Sequence, residues 1–270
     1  MTDLDTATDF IWRNARLLDR HRFAHLFLGA GAEPVVTALR AYRNPDGGFG
    51  NALEPDLRGT ASQPAAVQSA LELLAEANAH GDPMIEPAAD FLASITRPDS
   101  GIPFVLPTVR EHPRAPWWEP ADKTSLTQTA ANAAALLRLG SQHSWLEGAS
   151  AYCWARIEAL DFLDDSYDTR YAVVFLDAVP DAARAGAALD SLRGRTGLEA
   201  LDVSPWPDSR SRRLFDRDEV DAGLEKLAAG QSEDGGWTFD FPAWAPAQEL
   251  DWRVVSTIQA LAVLRAHGRL

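Results

Sequence analysis

Cysteine is nearly absent from this sequence. The 270 residues include a single one, Cys153, so the chain cannot close an internal disulfide or offer several thiolates to a zinc ion. Cys153 lies in an apolar helical stretch, and we interpret it as a buried, unreactive thiol. So little cysteine suits a reducing cytoplasm, where we expect the protein to be located.

Long hydrophobic runs and an excess of positive charge are also missing. No apolar segment approaches the roughly 18 residues that a membrane-spanning helix requires. The acidic start Met-Thr-Asp-Leu-Asp lacks the basic and apolar regions of a signal peptide. The formal net charge of −14 opposes binding to nucleic acid. We therefore expect a protein with neither a membrane span nor a nucleic-acid partner.

Histidines are few and scattered. The six of them do not combine with Cys153 at the spacing that zinc ligands require. We therefore expect no resident metal and no cofactor. Glu54 and Asp56 nevertheless have the oxygen ligands that would suit magnesium beside a diphosphate.

Strand-like alternation is absent, whereas helical periodicity recurs along the chain. The predicted helices cover residues 4–19, 21–28, 33–43, 62–79, 87–95, 125–139, 144–159, 166–178, 181–194, 216–229 and 251–266. With 46% hydrophobic residues the chain can bury a sizeable core. Because no shift in composition divides the sequence, we expect one all-α domain over residues 1–270.

A glycine-containing motif recurs three times among these helices. It reads Asn-Pro-Asp-Gly-Gly-Phe at 44–49, Arg-Pro-Asp-Ser-Gly at 97–101 and Glu-Asp-Gly-Gly-Trp at 233–237. Glycine reaches left-handed backbone conformations without steric cost, so each motif is expected to end a helix. Phe49 and Trp237 would then anchor the following loops in a core.

The helices after these loops share a polar start and an interior amide. The predicted N-caps are Ser62, Thr124 or Ser125, and Asp251. The aligned amides are Gln68, Asn132 and Gln259, spaced 64 and 127 residues apart. Since the second interval is nearly twice the first, we expect one further, degenerate unit between Asn132 and Gln259.

Helical hairpins that recur in this way stack side by side and bury a continuous core. Such a stack either stays open or closes into a ring. The alanine-rich helices after the loops are apolar on most faces, as inner helices packed on both sides should be. The expected fold is therefore an α/α toroid of about five to six helical hairpins.

Two of the motifs carry a family resemblance. Asp46-Gly47-Gly48-Phe49-Gly50 and the segment from Gln231 to Trp237 resemble the repeats of the terpenoid cyclase and protein prenyltransferase superfamily, which includes squalene cyclases. In that superfamily a Gln-x-x-Asp-Gly-x-Trp-type loop joins the outer helix of one pair to the inner helix of the next. The resemblance implies an α/α toroid with a central cavity and a hydrophobic, prenyl-derived substrate. Because the superfamily includes non-catalytic binding domains, it does not by itself imply an enzyme.

The resemblance also suggests one pair of acids. Class II terpene cyclases carry an Asp-x-Asp-Asp-Thr-Ala segment whose middle aspartate protonates the polyene. The stretch from Asp164 to Ala172 is similar, but it lacks Asp-x-Asp-Asp and inserts Arg170-Tyr171 before the alanine. Asp165 and Asp168 are thus candidate catalytic acids, and the alternative is that they cap the helix that begins at 166. The Asp-x-Cys pattern of the zinc-dependent prenyltransferases is absent.

Acids and indoles in the long loops form the second group of candidates. Glu54 and Asp56 are the catalytic candidates of this group. The candidates for substrate binding are Gln68, Trp118, Glu119, Asn132, Asp240, Trp244, Trp252 and Gln259. In a toroid the loops that carry most of them would approach one mouth of the cavity. Aromatic walls stabilise a carbocation, and a buried carboxylic acid can donate a proton.

The same residues suit two other functions. Indoles stack on sugar rings and paired carboxylates hydrolyse glycosides, as in carbohydrate-active α/α toroids. Alternatively, the tryptophans pack the loops of a non-catalytic binding domain and the acids pair with Arg58, Arg114 and Arg253. Acid-initiated chemistry on a hydrophobic small molecule is the leading hypothesis. An apolar cavity would favour it, polar walls made by the three amides would favour a sugar, and a filled centre would favour the binding domain.

Overall fold

The computed structural model describes residues 2–159, 166–194 and 199–270. In these residues there are twelve α-helices: α1 (Leu4–Asn14), α2 (Leu17–Phe27), α3 (Glu33–Leu39), α4 (Pro64–Glu76), α5 (Ile85–Ser94), α6 (Leu126–Arg138), α7 (Trp145–Ala159), α8 (Ser166–Ala178), α9 (Ala182–Leu192), α10 (Ala200–Val203), α11 (Arg217–Ala229) and α12 (Pro246–Ala266). Three 3₁₀ helices cover Arg40–Tyr42, Pro107–Glu111 and Arg210–Leu214. The strands β1 (Ile102–Pro103) and β2 (Thr124–Ser125) form one antiparallel ribbon. The prediction of a nearly pure helical fold is confirmed.

The helices group into two compact units. The terminal unit comprises Met1–Arg40 and Glu199–Leu270 and contains α1 to α3 and α10 to α12. The central unit comprises Ala41–Leu198 and contains α4 to α9. The expectation that residues 1–270 form one domain stays a prediction.

The central unit is built in two layers. Helices α4, α6 and α8 pack in that order in one layer, and α5, α7 and α9 pack behind them. Helix α6 is buried from Leu126 to Leu136 because α4 and α8 flank it and α7 lies behind it. Its alanines allow close approach on both sides, as the sequence predicted. The α8–α9 pair supplies the additional unit expected between Asn132 and Gln259.

The terminal unit is centred on α12, which contacts α1, α2 and α11. Its apolar core includes Phe10, Trp237, Ile258 and Leu261. Trp237 therefore anchors its loop in a core as predicted, and the fully buried Phe49 does the same in the central unit.

The three glycine motifs adopt the same turn. The turns begin at Asn44, Arg97 and Ser232. The N–H of this first residue donates to the carbonyl of the fifth residue, and its carbonyl accepts the N–H of the fourth, at 2.8 to 3.1 Å. The aspartate at the third position accepts the N–H of the fifth residue. The fourth residue is left-handed, with φ of +86° at Gly47, +68° at Ser100 and +93° at Gly235.

The fourth residue of each turn lies against the backbone of a helix. A Cβ atom on Gly47 would lie 2.3 Å from the carbonyl oxygen of Pro87 in α5, and one on Gly235 would lie 2.1 Å from that of Thr6 in α1. In the second turn the hydroxyl group of Ser100 faces Gly148 of α7, where an added Cβ would lie 3.2 Å away. Close helix packing therefore requires a small residue on one side of each contact.

The fifth residue of each turn packs on an aromatic ring one helical turn further along the same helix. Gly48 lies over Phe91, Gly101 over Tyr152 and Gly236 over Phe10, and an added Cβ would approach each ring within 2.9 Å. Each turn therefore docks on one helix through the same pair of positions.

Two of the predicted helix starts are wrong. Helix α12 begins at Pro246 rather than Asp251, because proline suits the first helical position, where no N–H partner is needed. Asp251 instead lies buried within α12, 3.9 Å from the Arg16 guanidinium group. Gln63, not Ser62, flanks the start of α4. The predicted cap Ser125 is confirmed, since its hydroxyl group accepts the N–H of Gln128.

The predicted alignment of Asn132 with Gln259 is also wrong. The N–H after the second turn, from Ile102, donates to the Thr129 hydroxyl group at 3.0 Å, and the N–H of Trp237 donates to the Thr257 hydroxyl group at 2.9 Å. Thr129 and Thr257 are therefore equivalent, which places Asn132 in register with the residue that follows Gln259.

Candidate functional site in the central unit

Two loops of the central unit lie side by side, one before α4 and one before α6. Leu57 and Arg114 form a bridge between them. The N–H of Ala115 donates to the carbonyl of Asp56 at 3.0 Å. These backbone bonds fix the loop that carries Glu54 and Asp56 against the loop that carries Trp118 and Glu119.

Gln63 reinforces this junction from the residue before α4. Its side-chain amide donates to the Thr108 hydroxyl group at 2.8 Å, and its carbonyl oxygen accepts the N–H of Leu106 at 2.9 Å. Gln63 was not among the site residues predicted from the sequence. The sequence feature that could have identified it is its position directly before Pro64, because a polar residue there can bond to a neighbouring loop.

A depression of about 320 Å³, including the part open to solvent, lies between the two loops. Residues of both charge signs and apolar residues line it, among them Glu54, Leu57, Arg58, Ala66, His112 and Arg114.

Glu54 and Asp56 are both buried, with exposures of 8% and 3%. Asp56 accepts a hydrogen bond from the indole N–H of Trp118 at 3.2 Å. The Trp118 ring in turn stacks on Phe104, with ring centroids 4.6 Å apart. The structure thus brings Asp56 and Trp118 together and places Glu54 in the lining of the adjacent depression.

Glu119 has a different environment. It is exposed, forms an ion pair with Arg114 and lies 3.7 Å from Arg110. The hydrogen bond from Arg114 holds the pKa of Glu119 below its ordinary value. Because this favours the ionised form, Glu119 is poorly suited to donate a proton.

A polar cluster joins α4 to α8. The amide nitrogen of Gln68 lies 3.1 Å from a carboxylate oxygen of Glu72 and 3.2 Å from the Tyr171 hydroxyl oxygen. Burial raises the pKa of Tyr171 to about 12, and the carboxylate of Glu72 adds to this effect. Gln68 was a predicted site residue and Tyr171 was not, because sequence spacing alone cannot show that these distant residues meet.

Asp168 lies near the start of α8 and contacts the start of α6. One of its carboxylate oxygens accepts the backbone N–H of Thr127 at 3.0 Å and the Thr127 hydroxyl group at 2.7 Å. It therefore stabilises the N-terminal end of α6. The alternative drawn from the sequence was a cap of its own helix, α8. Asp165, the other acid suggested by the cyclase resemblance, lies outside the described residues.

Asn132 and Gln259 do not share an environment. Asn132 is fully buried, and its amide donates to the carbonyls of Gln128 at 2.9 Å and Pro64 at 3.3 Å. These bonds give Asn132 a role in packing α6 against α4. Gln259 is exposed on α12 of the terminal unit.

The remaining candidates belong to the terminal unit. Trp252 packs edge-to-face on Phe241, with ring centroids 5.2 Å apart. The backbone N–H of Trp244 donates to the side chain of Gln248 at 3.3 Å, and Asp240 is exposed. Their grouping with the acids of the central unit stays a prediction.

Three observations on the described residues concern metal ligands, the thiol and membrane spans. Among these residues, no three histidine, cysteine, aspartate or glutamate side chains come together as a metal site. Burial raises the pKa of the Cys153 thiol far above its ordinary value. The predicted burial of Cys153 is confirmed. No helix among the described residues is long and apolar enough to cross a bilayer.

Comparison with known proteins identifies the fold. No family model and no curated protein matches the sequence. A protein from Actinoplanes has a TM-score of 0.62 at 15% identity, with 98% of each chain covered. The type II terpene cyclase MstE from Scytonema has a TM-score of 0.54 at 15% identity, covering 98% of this chain and 88% of the other.

These likenesses define the class of the fold and no more than the fold, because the identities are low. The chain has a terpenoid-cyclase-like fold, as its glycine motifs suggested. The predicted fold class, all-α and of the α/α-toroid type found in terpene cyclases, is confirmed.

Proposed function

We propose that this protein is a terpene-cyclase-like enzyme that protonates a hydrophobic, prenyl-derived substrate, with Glu54 as the proton donor. The observation that carries the proposal is the burial of Glu54, 8% exposed, in the lining of a depression that opens to solvent. A carboxyl group removed from water stays protonated at a higher pH than an exposed one, and a proton donor must start in its protonated form.

The other acids of the central unit are less suited to this role. Asp168 is engaged by two hydrogen bonds from Thr127, so we assign it to the junction of α8 with α6. Glu119 is held ionised by Arg114. Asp56 is engaged with the indole of Trp118, so we assign it to the support of the loop that carries Glu54.

The aromatic pair beside these acids supports the same chemistry. Trp118 stacks on Phe104 and is 8% exposed. Aromatic faces stabilise positive charge, which develops on carbon when an alkene is protonated. The carbohydrate hypothesis is weaker, because it requires a polar wall of three amides and Asn132 packs inside the core instead. The reducing cytoplasm stays the compartment that we expect.

Turnover by purified wild-type protein and Glu54→Gln tests the proposal. A panel of linear isoprenoid hydrocarbons, alcohols and diphosphates is incubated with each protein, and products are identified by gas chromatography with mass spectrometry. We expect at least a roughly hundredfold loss of turnover in Glu54→Gln, since the amide cannot supply the proton. The melting temperature should be unchanged or higher, because functional acids are often unfavourable for stability.

Glu147→Gln is the matched control. Glu147 is an exposed glutamate of α7, in the other layer of the central unit. It should leave turnover unchanged. Full activity in Glu54→Gln would contradict the assignment, and loss of activity in Asp168→Asn without loss of stability would move the acid to α8. Binding without turnover in the wild-type protein would instead favour a non-catalytic binding domain.

A further inference from the structure

The orientation of the Gln68 amide follows from its neighbour Glu72. A carboxylate accepts hydrogen bonds and does not donate them, so the atom that faces Glu72 must be the amide nitrogen. The same nitrogen lies 3.2 Å from the hydroxyl oxygen of Tyr171. Gln68 is therefore the donor in this contact, and the Tyr171 oxygen is the acceptor.

The hydroxyl proton of Tyr171 is consequently directed away from Gln68. Among the described residues, no acceptor receives this proton in a hydrogen bond, and the side chain is only partly buried. The hydroxyl group keeps its proton at neutral pH, because its pKa is about 12. Tyr171 thus presents a hydrogen-bond donor. Its direction is fixed because the hydroxyl oxygen already accepts a bond from Gln68.

The charges around Tyr171 limit what it can bind. The carboxylate of Glu72 acts on its hydroxyl group more strongly than Arg170, the opposing cation, does. The carboxylate of Glu72 repels a phosphate or carboxylate ligand at short range. A neutral oxygen meets no such repulsion and still accepts the hydrogen bond.

We propose that Tyr171 donates a hydrogen bond to a neutral oxygen atom of the ligand, and that Gln68 is its positioning residue. This inference rests on the proposed function and names the substrate class: an isoprenoid that carries a hydroxyl, carbonyl or epoxide oxygen, in preference to the hydrocarbon or the diphosphate. Glu54 and Tyr171 both belong to the central unit, so the bond would hold the ligand in the unit that carries the proposed acid.

The test compares the binding of farnesol, farnesene and farnesyl diphosphate, followed by quenching of tryptophan fluorescence. Wild-type protein should bind farnesol roughly three- to tenfold more tightly than farnesene, which corresponds to one net hydrogen bond. It should bind farnesyl diphosphate more weakly than farnesol. Tyr171→Phe keeps the ring and removes the donor, so the preference for farnesol over farnesene should disappear.

Two further variants separate this role from a structural one. Tyr152→Phe removes a hydroxyl group from α7, in the other layer, and should keep the preference. Gln68→Glu replaces the donor beside Tyr171 with an acceptor that captures the tyrosine proton. It should abolish the preference although the hydroxyl group is retained, and adding Tyr171→Phe should have no further effect.

Each contrary result has a distinct meaning. If Tyr171→Phe keeps the preference for farnesol with an unchanged circular dichroism spectrum and melting temperature, the donor assignment is overturned. The same holds if the wild-type protein binds farnesol and farnesene equally, and in both cases the proposed role of Glu54 is unaffected. If no isoprenoid binds to the wild-type protein, the proposed function fails and this inference fails with it.

Discussion

The first and third glycine turns have the same backbone geometry, but their aspartates have different partners. Asp46 accepts a hydrogen bond from the Ser62 hydroxyl group at 2.8 Å. Asp234 instead forms two bonds with the Arg253 guanidinium group, at 2.7 and 2.8 Å. Ser62 lies just before α4, which begins at Pro64. Arg253 lies inside α12, because that helix begins at Pro246, well before the residue that pairs with the turn.

The loops after these two turns differ more than the turns do. The first loop buries Glu54 and Asp56 beside a second loop of the same unit. The third loop packs Phe241 against Trp252 and leaves Asp240 exposed. The comparison shows that the turn determines how helices dock, whereas the following loop determines which side chains are available for chemistry. Likeness among the motifs is therefore evidence about fold and not about function.

The largest effect is expected from adding a methyl group to the fourth residue of the first or the third turn, which lies against a helix backbone. Gly47→Ala and Gly235→Ala would each place Cβ within 2.3 Å of a helix carbonyl oxygen at a positive φ. The free energy of unfolding in urea should fall by more than about 3 kcal/mol for each. Gly81→Ala is the control, since Gly81 also has a positive φ of +82° but nothing within 4 Å of the added Cβ. A cost at Gly47 no greater than at Gly81 would mean that docking does not require the glycine.

A smaller effect should distinguish the two buried acids of the first loop. Asp56→Asn weakens a charge-assisted bond to the Trp118 indole, so we expect the free energy of unfolding to fall by about 1 to 2 kcal/mol. Glu54→Gln should leave it unchanged or raise it. Chemical denaturation of both variants measures the difference. Equal destabilisation would assign Glu54 the same supporting role as Asp56.

The ion pair of the third turn should make stability depend on pH. The hydrogen bond from Arg253 lowers the pKa of Asp234 in the folded protein. A lowered pKa contributes stability that is present above the pKa of the unfolded chain and is lost as pH falls through the folded value. The melting-temperature difference between wild type and Asp234→Asn should therefore be constant above about pH 5 and shrink below about pH 4. Arg253→Gln should remove this pH dependence, and a difference that grows in acid would contradict the argument.

The smallest effect is expected in the second turn, where serine occupies the left-handed position. Ser100→Gly relieves an unfavourable φ but increases the freedom of the unfolded chain, so the net change should be below about 1 kcal/mol. Gly148→Ala alone should stabilise less than alanine usually does inside a helix, because its Cβ would lie 3.2 Å from the Ser100 hydroxyl oxygen. It should be tolerated better together with Ser100→Gly. Additive effects of the two changes would show that these positions do not share one contact.

Local sequence features predicted several elements correctly. The helix at 166–178 has the predicted bounds, and Ser125 caps α6. The prediction of one continuous helix over 4–19 was wrong, because Ala15 has an extended backbone and separates α1 from α2. Arg16 there forms an ion pair with Asp19 at 2.7 Å and lies 3.9 Å from Asp251 of α12, a contact that no local pattern reveals.

The sequence by itself determined the helical class, the three glycine turns and the loops that carry the acids, because periodicity and left-handed glycine positions are local properties of the chain. Only the tertiary structure decided which acids are buried, which carboxylates meet arginine, and that Tyr171 faces Gln68 across two helices. It also decided the register of the amides, through the bonds of Thr129 and Thr257 to residues after their turns. Burial, charge pairing and register all depend on which distant segments come into contact, and a one-residue difference in helical register changes which face a side chain occupies.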